Sequence, residues 1–229
     1  MNSRPARRIF RNPGAAWLWI AISLVAAVAS EGADARTDRY LIYLHGRIVQ
    51  EQQIPRPRSE RFGYYELEKI LDVFRSRGFV VTGEIRPKSA SESESADRVV
   101  AEVRRLLESG VRPDHITVLG ASMGASITLL ASTRLQNADV RFAALGPCLS
   151  ESVPALRSQE GRAPSGHLLA IREASDDLLG PCKPWKAESD PRASLVAKEI
   201  VLHTGLSHGF LYRPLPEWVE PVVEWANAR

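Results

Sequence analysis

Short apolar runs alternate with amphipathic stretches along most of this chain, and this alternation constrains the fold more than any other feature. Residues 64–77 and 96–109 place their apolar side chains at helical spacing. Each stretch stops at a glycine, Gly78 or Gly110, which suits the left-handed conformation at a helix end. The intervening apolar runs lack the helical period and predict strands at residues 40–44, 79–85, 116–119, 142–145, 168–171 and 199–203.

The strand–helix–strand order predicts an α/β domain with a mostly parallel, doubly wound sheet flanked by helices, because parallel neighbours need crossover connections. In such a sheet the functional residues lie in the loops after the carboxyl ends of the strands. Residues 50–61 and 88–95 are polar connections and predict solvated loops. The first of them leaves the sheet at the same edge as the functional loops, which makes it a candidate for the rim of a substrate site.

The first 35 residues have the order of an export signal. Four arginines precede an uncharged run at residues 15–29 that ends among small residues. Cleavage patterns end at Ala29 and Ala35; the second predicts a signal peptide at residues 1–35 and a mature domain at residues 36–229. We expect a periplasmic or secreted protein without stable membrane insertion after cleavage. An uncleaved anchor is the alternative, and the pair Arg7-Arg8 leaves the twin-arginine route open.

The mature domain is nearly neutral. Residues 1–35 carry four arginines against Glu31 and Asp34, which is +2 of the formal net charge of +3. The remaining charge of about +1 gives no support to nucleic-acid or anionic-membrane binding, so nucleic-acid partners are not expected.

The motif Gly120-Ala-Ser-Met-Gly124 carries the strongest chemical signal. A strand candidate precedes it and a small, apolar helix candidate at residues 125–131 follows it, which is the context of a nucleophile elbow. Such a turn is strained, and small residues on either side of the serine let the strand and the helix pass close together. We predict that Ser122 is a nucleophile; a helix N-cap serine in an ordinary tight turn is the alternative.

The chain resembles the α/β-hydrolase family over essentially the whole mature sequence. The resemblance rests on Tyr40-Leu-Ile-Tyr-Leu-His45-Gly46, then the motif at residues 120–124, then an acid, then a histidine, which is that family's chain order. The chain looks like the small, lidless esterases and dienelactone-hydrolase-like members of the family. The connection between residues 142 and 168 is too short for a full lid domain, so a fairly open pocket is expected.

The resemblance assigns a base and an acid. The family places its base after the last strand, where His208 lies, and its acid after the preceding strand, where Asp176 has the usual spacing. Asp177 is the alternative acid, a helix N-cap role is open to either aspartate, and Glu173 stands where the pattern often has glycine. Three other histidines lie in turns or at strand ends that suit structural roles: His115, His167 and His203.

The resemblance also implies an oxyanion hole made of two backbone N–H groups. Met123 follows the nucleophile, and Arg47 follows the His45-Gly46 pair at the end of the first strand. A buried, hydrogen-bonded His45 without such a role is the alternative. The Arg47 side chain near the pocket favours an anionic or polar substrate.

Two cysteines in an exported chain favour a disulfide between Cys148 and Cys182, with unlinked thiols as the alternative. The family's strand order implies that both follow adjacent strands, so a bridge would brace the loop that carries Asp176.

Together these features predict an exported serine hydrolase, most simply a carboxylic ester hydrolase, that cleaves a small ester or thioester. Ser122 attacks the carbonyl to form an acyl-enzyme, His208 transfers the proton, and Asp176 orients His208. A non-catalytic binding protein on the same fold is the alternative. A nucleotide-binding domain is disfavoured because Gly46-Arg-Ile-Val is no glycine-rich phosphate loop. No cofactor or metal motif is found, so neither is expected; the oligomeric state stays open.

Overall fold

Six parallel strands form the central sheet of the computed structural model, which describes residues 38–180, 182–185 and 195–228. The predicted signal peptide, residues 1–35, lies outside the described residues. The sheet strands are β1 (Arg39–Leu44), β4 (Phe79–Thr82), β5 (Ile116–Ala121), β6 (Arg141–Leu145), β7 (Gly166–Glu173) and β8 (Leu195–Leu202), and a separate hairpin holds β2 (Arg58–Ser59) and β3 (Gly63–Tyr64). The helices are α1 (Arg47–Gln52), α2 (Leu67–Arg75), α3 (Glu92–Glu108), α4 (Met123–Leu135), α5 (Leu149–Glu160) and α6 (Pro216–Asn227).

The strand order is β4-β1-β5-β6-β7-β8, and every pairing in this sheet is parallel. Leu44 pairs with Gly120, and Glu173 pairs with Leu202, so the carboxyl ends of these strands lie at one edge of the sheet. The loops after β1, β5, β7 and β8 therefore meet at that edge, which confirms the predicted α/β architecture.

Helices cover both faces of the sheet, as a doubly wound fold requires. On one face α2 and α6 bury Phe74 and Trp218 against the sheet. On the other face α3 and α4 bury Val103 and Ile127. The predicted glycine ends also hold, because Gly78 and Gly110 have φ values of 85° and 87°.

Three helical segments differ from the sequence-based prediction. The polar stretch 50–61 was expected to be a loop, yet its start belongs to α1 and its end to the β2–β3 hairpin. α3 begins within the expected loop 88–95, because Ser91 and Glu94 form a capping box in which each side chain bonds the other's backbone N–H. α5 joins β6 to β7 and contains Pro154, so this connection is a helix and not a lid domain.

Within the described ranges, no helix has the length and apolar character that a membrane span needs. A disulfide joins Cys148, which follows β6, to Cys182, which follows β7, with Cα atoms 5.6 Å apart.

Candidate active site

Ser122 lies between β5 and α4 in a backbone conformation that non-glycine residues rarely adopt, with φ 54° and ψ −118°. The two glycines of the motif make this turn possible. A Cβ atom on Gly120 would lie 2.0 Å from the Gly124 carbonyl oxygen, and one on Gly124 would lie 1.9 Å from the Leu44 carbonyl oxygen. Any larger residue at either position would force the strand and helix apart.

Ser122 is the first member of a hydrogen-bonded chain of three side chains. Its Oγ lies 2.8 Å from His208 Nε2, and His208 Nδ1 lies 2.7 Å from Asp176 Oδ2. Because an ionised carboxylate only accepts, Nδ1 carries the proton and Nε2 is free to accept from the serine hydroxyl. His208 and Asp176 are 7% and 6% exposed, so water competes little for these contacts.

The two adjacent aspartates have different partners. Asp176 faces His208, and its second oxygen accepts from the Leu178 backbone N–H at 3.1 Å. Asp177 is exposed and binds the Arg61 guanidinium at 2.6 and 2.7 Å and the Ser207 hydroxyl at 2.7 Å. The hydrogen bond from Arg61, followed by that from Ser207, lowers the pKa of Asp177 to about 2. Of the two aspartates that the sequence offered as the acid, Asp176 contacts His208, whereas Asp177 contacts Arg61 and Ser207.

Two helix starts flank Ser122. Arg47 is the first residue of α1 and Met123 the first residue of α4, positions whose backbone N–H groups have no acceptor within the helix. The Gly46 N–H donates to the Tyr65 hydroxyl at 3.4 Å. Both first-turn residues line the space beside Ser122.

His45 is fully buried and has two fixed partners. Its Nδ1 donates to the Gly46 carbonyl oxygen at 2.9 Å, and its Nε2 accepts from the Arg86 backbone N–H at 3.0 Å. Burial, and then the nearby Arg86 guanidinium, lower the pKa of His45 to about 4. His45 is therefore a neutral structural residue that holds the loop after β1.

Ser122 lies where two cavities meet. The larger, of about 310 Å³, is also lined by His208 and by apolar or aromatic side chains that include Ile48, Phe62, Tyr65 and Leu211. The smaller, of about 260 Å³, is lined mainly by polar groups that include Glu92, Ser126, Glu151 and Ser152.

Solved structures with the same architecture include a variant of SOBER1 from Arabidopsis thaliana, with a TM-score of 0.54 and 13% identity over 82% of this chain and 97% of that chain. GrgF, an α/β hydrolase from Penicillium sp. sh18, has a TM-score of 0.51 and 12% identity over 83% of this chain and 90% of that chain. The chain has the α/β-hydrolase fold. Est1E from Butyrivibrio proteoclasticus is similar, with a TM-score of 0.50 and 12% identity over 82% and 86% of the two chains. No protein-family model and no curated protein sequence matches this chain.

The structural roles of two side chains at the candidate site, Glu173 and Phe62, were not predicted from the sequence. Glu173 was noted only for replacing a glycine, yet its buried carboxylate lies beneath the loops that carry Asp176 and His208. Phe62 extends from the β2–β3 hairpin to within 6.1 Å of the His208 ring, centroid to centroid. The contacts of Glu173 with Thr204 and of Phe62 with His208 join residues far apart in the chain, and no local pattern signals them.

The residues described on this α/β-hydrolase fold include no group of three or more His, Cys, Asp or Glu side chains that could hold a metal ion.

Proposed function

We propose that this chain is a serine hydrolase that cleaves small carboxylic esters or thioesters. The observation that carries the proposal is the chain of contacts from Ser122 through His208 to Asp176, at 2.8 and 2.7 Å. GrgF, which shares this fold, is an α/β hydrolase, and this supports the proposal.

In the proposed reaction, Ser122 Oγ attacks the carbonyl carbon while His208 Nε2 takes the hydroxyl proton. The backbone N–H groups of Arg47 and Met123 stabilise the oxyanion, and one such donor typically contributes about 10²–10³-fold in rate. His208 then gives the proton to the leaving group, which departs from the acyl-enzyme. Water, activated by His208, hydrolyses the acyl-enzyme and restores Ser122.

The two cavities suggest which half of the ester each would hold. The leaving group has to accept a proton from His208 Nε2, so it lies in the cavity that His208 lines, beside Phe62 and Leu211. The acyl group then extends into the smaller cavity beside Ser126 and Ser152. We propose esters of an apolar or aromatic alcohol with a short, polar acyl group.

The test is labelling of the purified protein with a fluorophosphonate probe, which reacts with activated serines. We expect the wild type to be labelled and the Ser122→Ala and His208→Ala variants not to be, because the first lacks the nucleophile and the second the base. Circular dichroism and the thermal midpoint establish that each variant is folded. A folded wild type that resists labelling would contradict the hydrolase proposal and favour a binding protein on the same fold.

A matched pair of variants tests the role of the acid. Asp176→Asn lowers kcat by about 10²–10⁴-fold, since the amide no longer holds His208 in the productive tautomer. Asp177→Asn, one residue away, lowers kcat by no more than a few fold because Asp177 contacts Arg61 and Ser207 instead. A larger loss of kcat in Asp177→Asn than in Asp176→Asn would instead identify Asp177 as the acid.

We further propose that residues 1–35 direct export and are removed. The Cys148–Cys182 disulfide supports this, because structural disulfides persist mainly in oxidising compartments. Mass spectrometry of the protein recovered from a secreting host tests it, with Arg36 expected as the first residue.

A further inference from the structure

Glu173 ends β7 at the point where two loops of the site begin. It pairs with Leu202, the last residue of β8, and the Ala174 backbone N–H donates to the Leu202 carbonyl oxygen at 2.8 Å. Asp176 follows three residues after Glu173, and His208 lies six residues after Leu202. The two side chains that meet at 2.7 Å are therefore carried by loops that diverge from neighbouring strand ends.

The Glu173 carboxylate contacts both loops with five hydrogen bonds. On the Asp176 side, Oε1 accepts from the Ser175 hydroxyl at 2.9 Å and from the Ser175 N–H at 3.3 Å. On the His208 side, Oε2 accepts from the Thr204 hydroxyl at 2.8 Å and the Thr204 N–H at 2.9 Å, and Oε1 accepts from the Gly205 N–H at 3.3 Å. A second link follows, because the Ser207 N–H donates to the Ser175 hydroxyl oxygen at 3.1 Å.

Every one of these contacts presents a donor to Glu173, so the side chain is suited to the ionised form, which only accepts. The residue is 3% exposed. Burial raises the pKa of Glu173, but the hydrogen bonds from Thr204 and Ser175 outweigh it and hold the pKa below its usual value. The buried charge is thus compensated entirely by the two loops that it connects.

We propose that Glu173 is a positioning residue that holds the Asp176 and His208 loops at the separation required for their contact. This inference rests on the proposed function. Glu173 touches neither Ser122 nor the cavities around it, so it acts through the geometry of Asp176 and His208. Misplacement of a reacting group by about 1 Å can cost about 10²-fold in rate, so a brace of this kind has a measurable kinetic effect.

The principal test is Glu173→Gln, which keeps the side-chain size but replaces one acceptor oxygen with an NH₂ group that faces N–H and O–H donors. We expect kcat to fall about 10–100-fold, as for other residues that orient a reacting group, with KM changed less than about twofold. Fluorophosphonate labelling of Ser122 slows by the same factor. The proton NMR spectrum reports the geometry directly: the downfield signal of the His208 Nδ1 proton is present in the wild type and lost in the variant.

Two controls separate positioning from general stability. Ser132 is buried and bridges to Ser165 through two hydrogen bonds at 2.6 and 3.0 Å, away from this edge of the sheet, so Ser132→Ala lowers the thermal midpoint but keeps kcat and the downfield signal. Thr204→Val removes one hydroxyl donor to Glu173 and lowers kcat, whereas Thr204→Ser keeps the hydroxyl and restores it. The Thr204 pair also serves if Glu173→Gln fails to fold.

The outcomes distinguish this inference from the proposed function. A labelled wild type whose Glu173→Gln and Thr204→Val variants keep kcat and the downfield signal would overturn the positioning role and leave the hydrolase proposal intact. A wild type that is not labelled would overturn the hydrolase proposal. In that case the NMR signal still tests whether Glu173 holds Asp176 against His208.

Discussion

Two histidines near the same sheet edge differ in the groups that surround their rings. His208 faces a carboxylate on one nitrogen and a hydroxyl on the other. His45 is enclosed between a backbone carbonyl and a backbone N–H and lies near a buried arginine. The Asp176 carboxylate would offset a positive charge on the His208 ring, whereas burial and the nearby Arg86 guanidinium disfavour one on His45. At the residue scale, the nature of the partners decides which imidazole is suited to proton transfer.

His45 makes the folded protein sensitive to acid. The pKa of His45 falls from about 6.5 in the unfolded chain to about 4 in the folded one, so only the unfolded state takes up a proton between these values. The stability is complete above pH 6.5 and is lost as the pH falls toward 4. By pH 5 the loss from His45 is about 2 kcal/mol. Urea unfolding at pH 7, 6 and 5 measures it.

The control for this prediction is a substitution that removes the imidazole. His45→Gln lowers stability at pH 7, because packing changes, but its stability depends less on pH between 7 and 5 than that of the wild type. His167→Gln is the matched histidine variant, since burial lowers the pKa of His167 also but its imidazole is only half-buried. Identical pH slopes for wild type and His45→Gln would show that His45 does not account for the acid sensitivity.

At the scale of elements, the β2–β3 hairpin covers one side of the site. It is joined to the Asp176 loop by the ion pair between Arg61 and Asp177, and Phe62 packs against Tyr212 with ring centroids 5.4 Å apart. A Cβ atom on Gly209 would lie 3.2 Å from the Phe62 ring, so the hairpin and the loop after β8 pack closely. This hairpin therefore forms a wall of the larger cavity.

Phe62→Ala removes that wall. For an ester with an aromatic leaving group we expect KM to rise about 10-fold, because burial of such a ring contributes roughly 1.5–3 kcal/mol and part of it is lost. An ester with a methyl leaving group should change less than about twofold. The matched control is Tyr64→Ala, since Tyr64 lies on the same hairpin but is 46% exposed. Equal effects on both esters would place the leaving group elsewhere.

The elements that the sequence predicted are those with a strong local pattern. The strand before the motif around Ser122, the helix after it, and the helices ending at Gly78 and Gly110 have the expected positions within a few residues. The sequence did not predict α1, because this helix is six residues long and its N-cap, Gly46, has no side chain to bond the first turn. The sequence did not predict α5, because Pro154 interrupts the helical pattern of its residues.

The candidate site likewise contains residues that the sequence predicted and contacts that it did not. Ser122 stands in a local motif, and the order of Asp176 and His208 follows from the resemblance to a family, so all three could be named from the sequence. The contacts of Glu173 with Thr204 and of Phe62 with Gly209 depend on how distant loops meet. Such contacts are products of the tertiary structure, and a single sequence has no period or spacing that reports them.

At the scale of the whole molecule, the disulfide connects two loops that follow adjacent strands and closes a segment of 34 residues. The Cys148→Ser/Cys182→Ser double variant should lose about 2–4 kcal/mol of unfolding free energy, because the unlinked unfolded chain has more conformational freedom. Urea unfolding measures the loss. Dithiothreitol should destabilise the wild type to a similar extent and leave the double variant unchanged, and a reductant effect on the double variant would point to another cause.

The contact between Ser122 and His208 joins residues 86 positions apart, with α4, β6, α5, β7 and β8 between them. During synthesis the proposed nucleophile is made long before its proposed base, and the sheet edge that unites them closes only when β8 and the following loop are in place. Until then the serine is an ordinary alcohol. Under the proposed mechanism, nascent and truncated chains therefore lack the reactive serine, which arises only with completion of the fold.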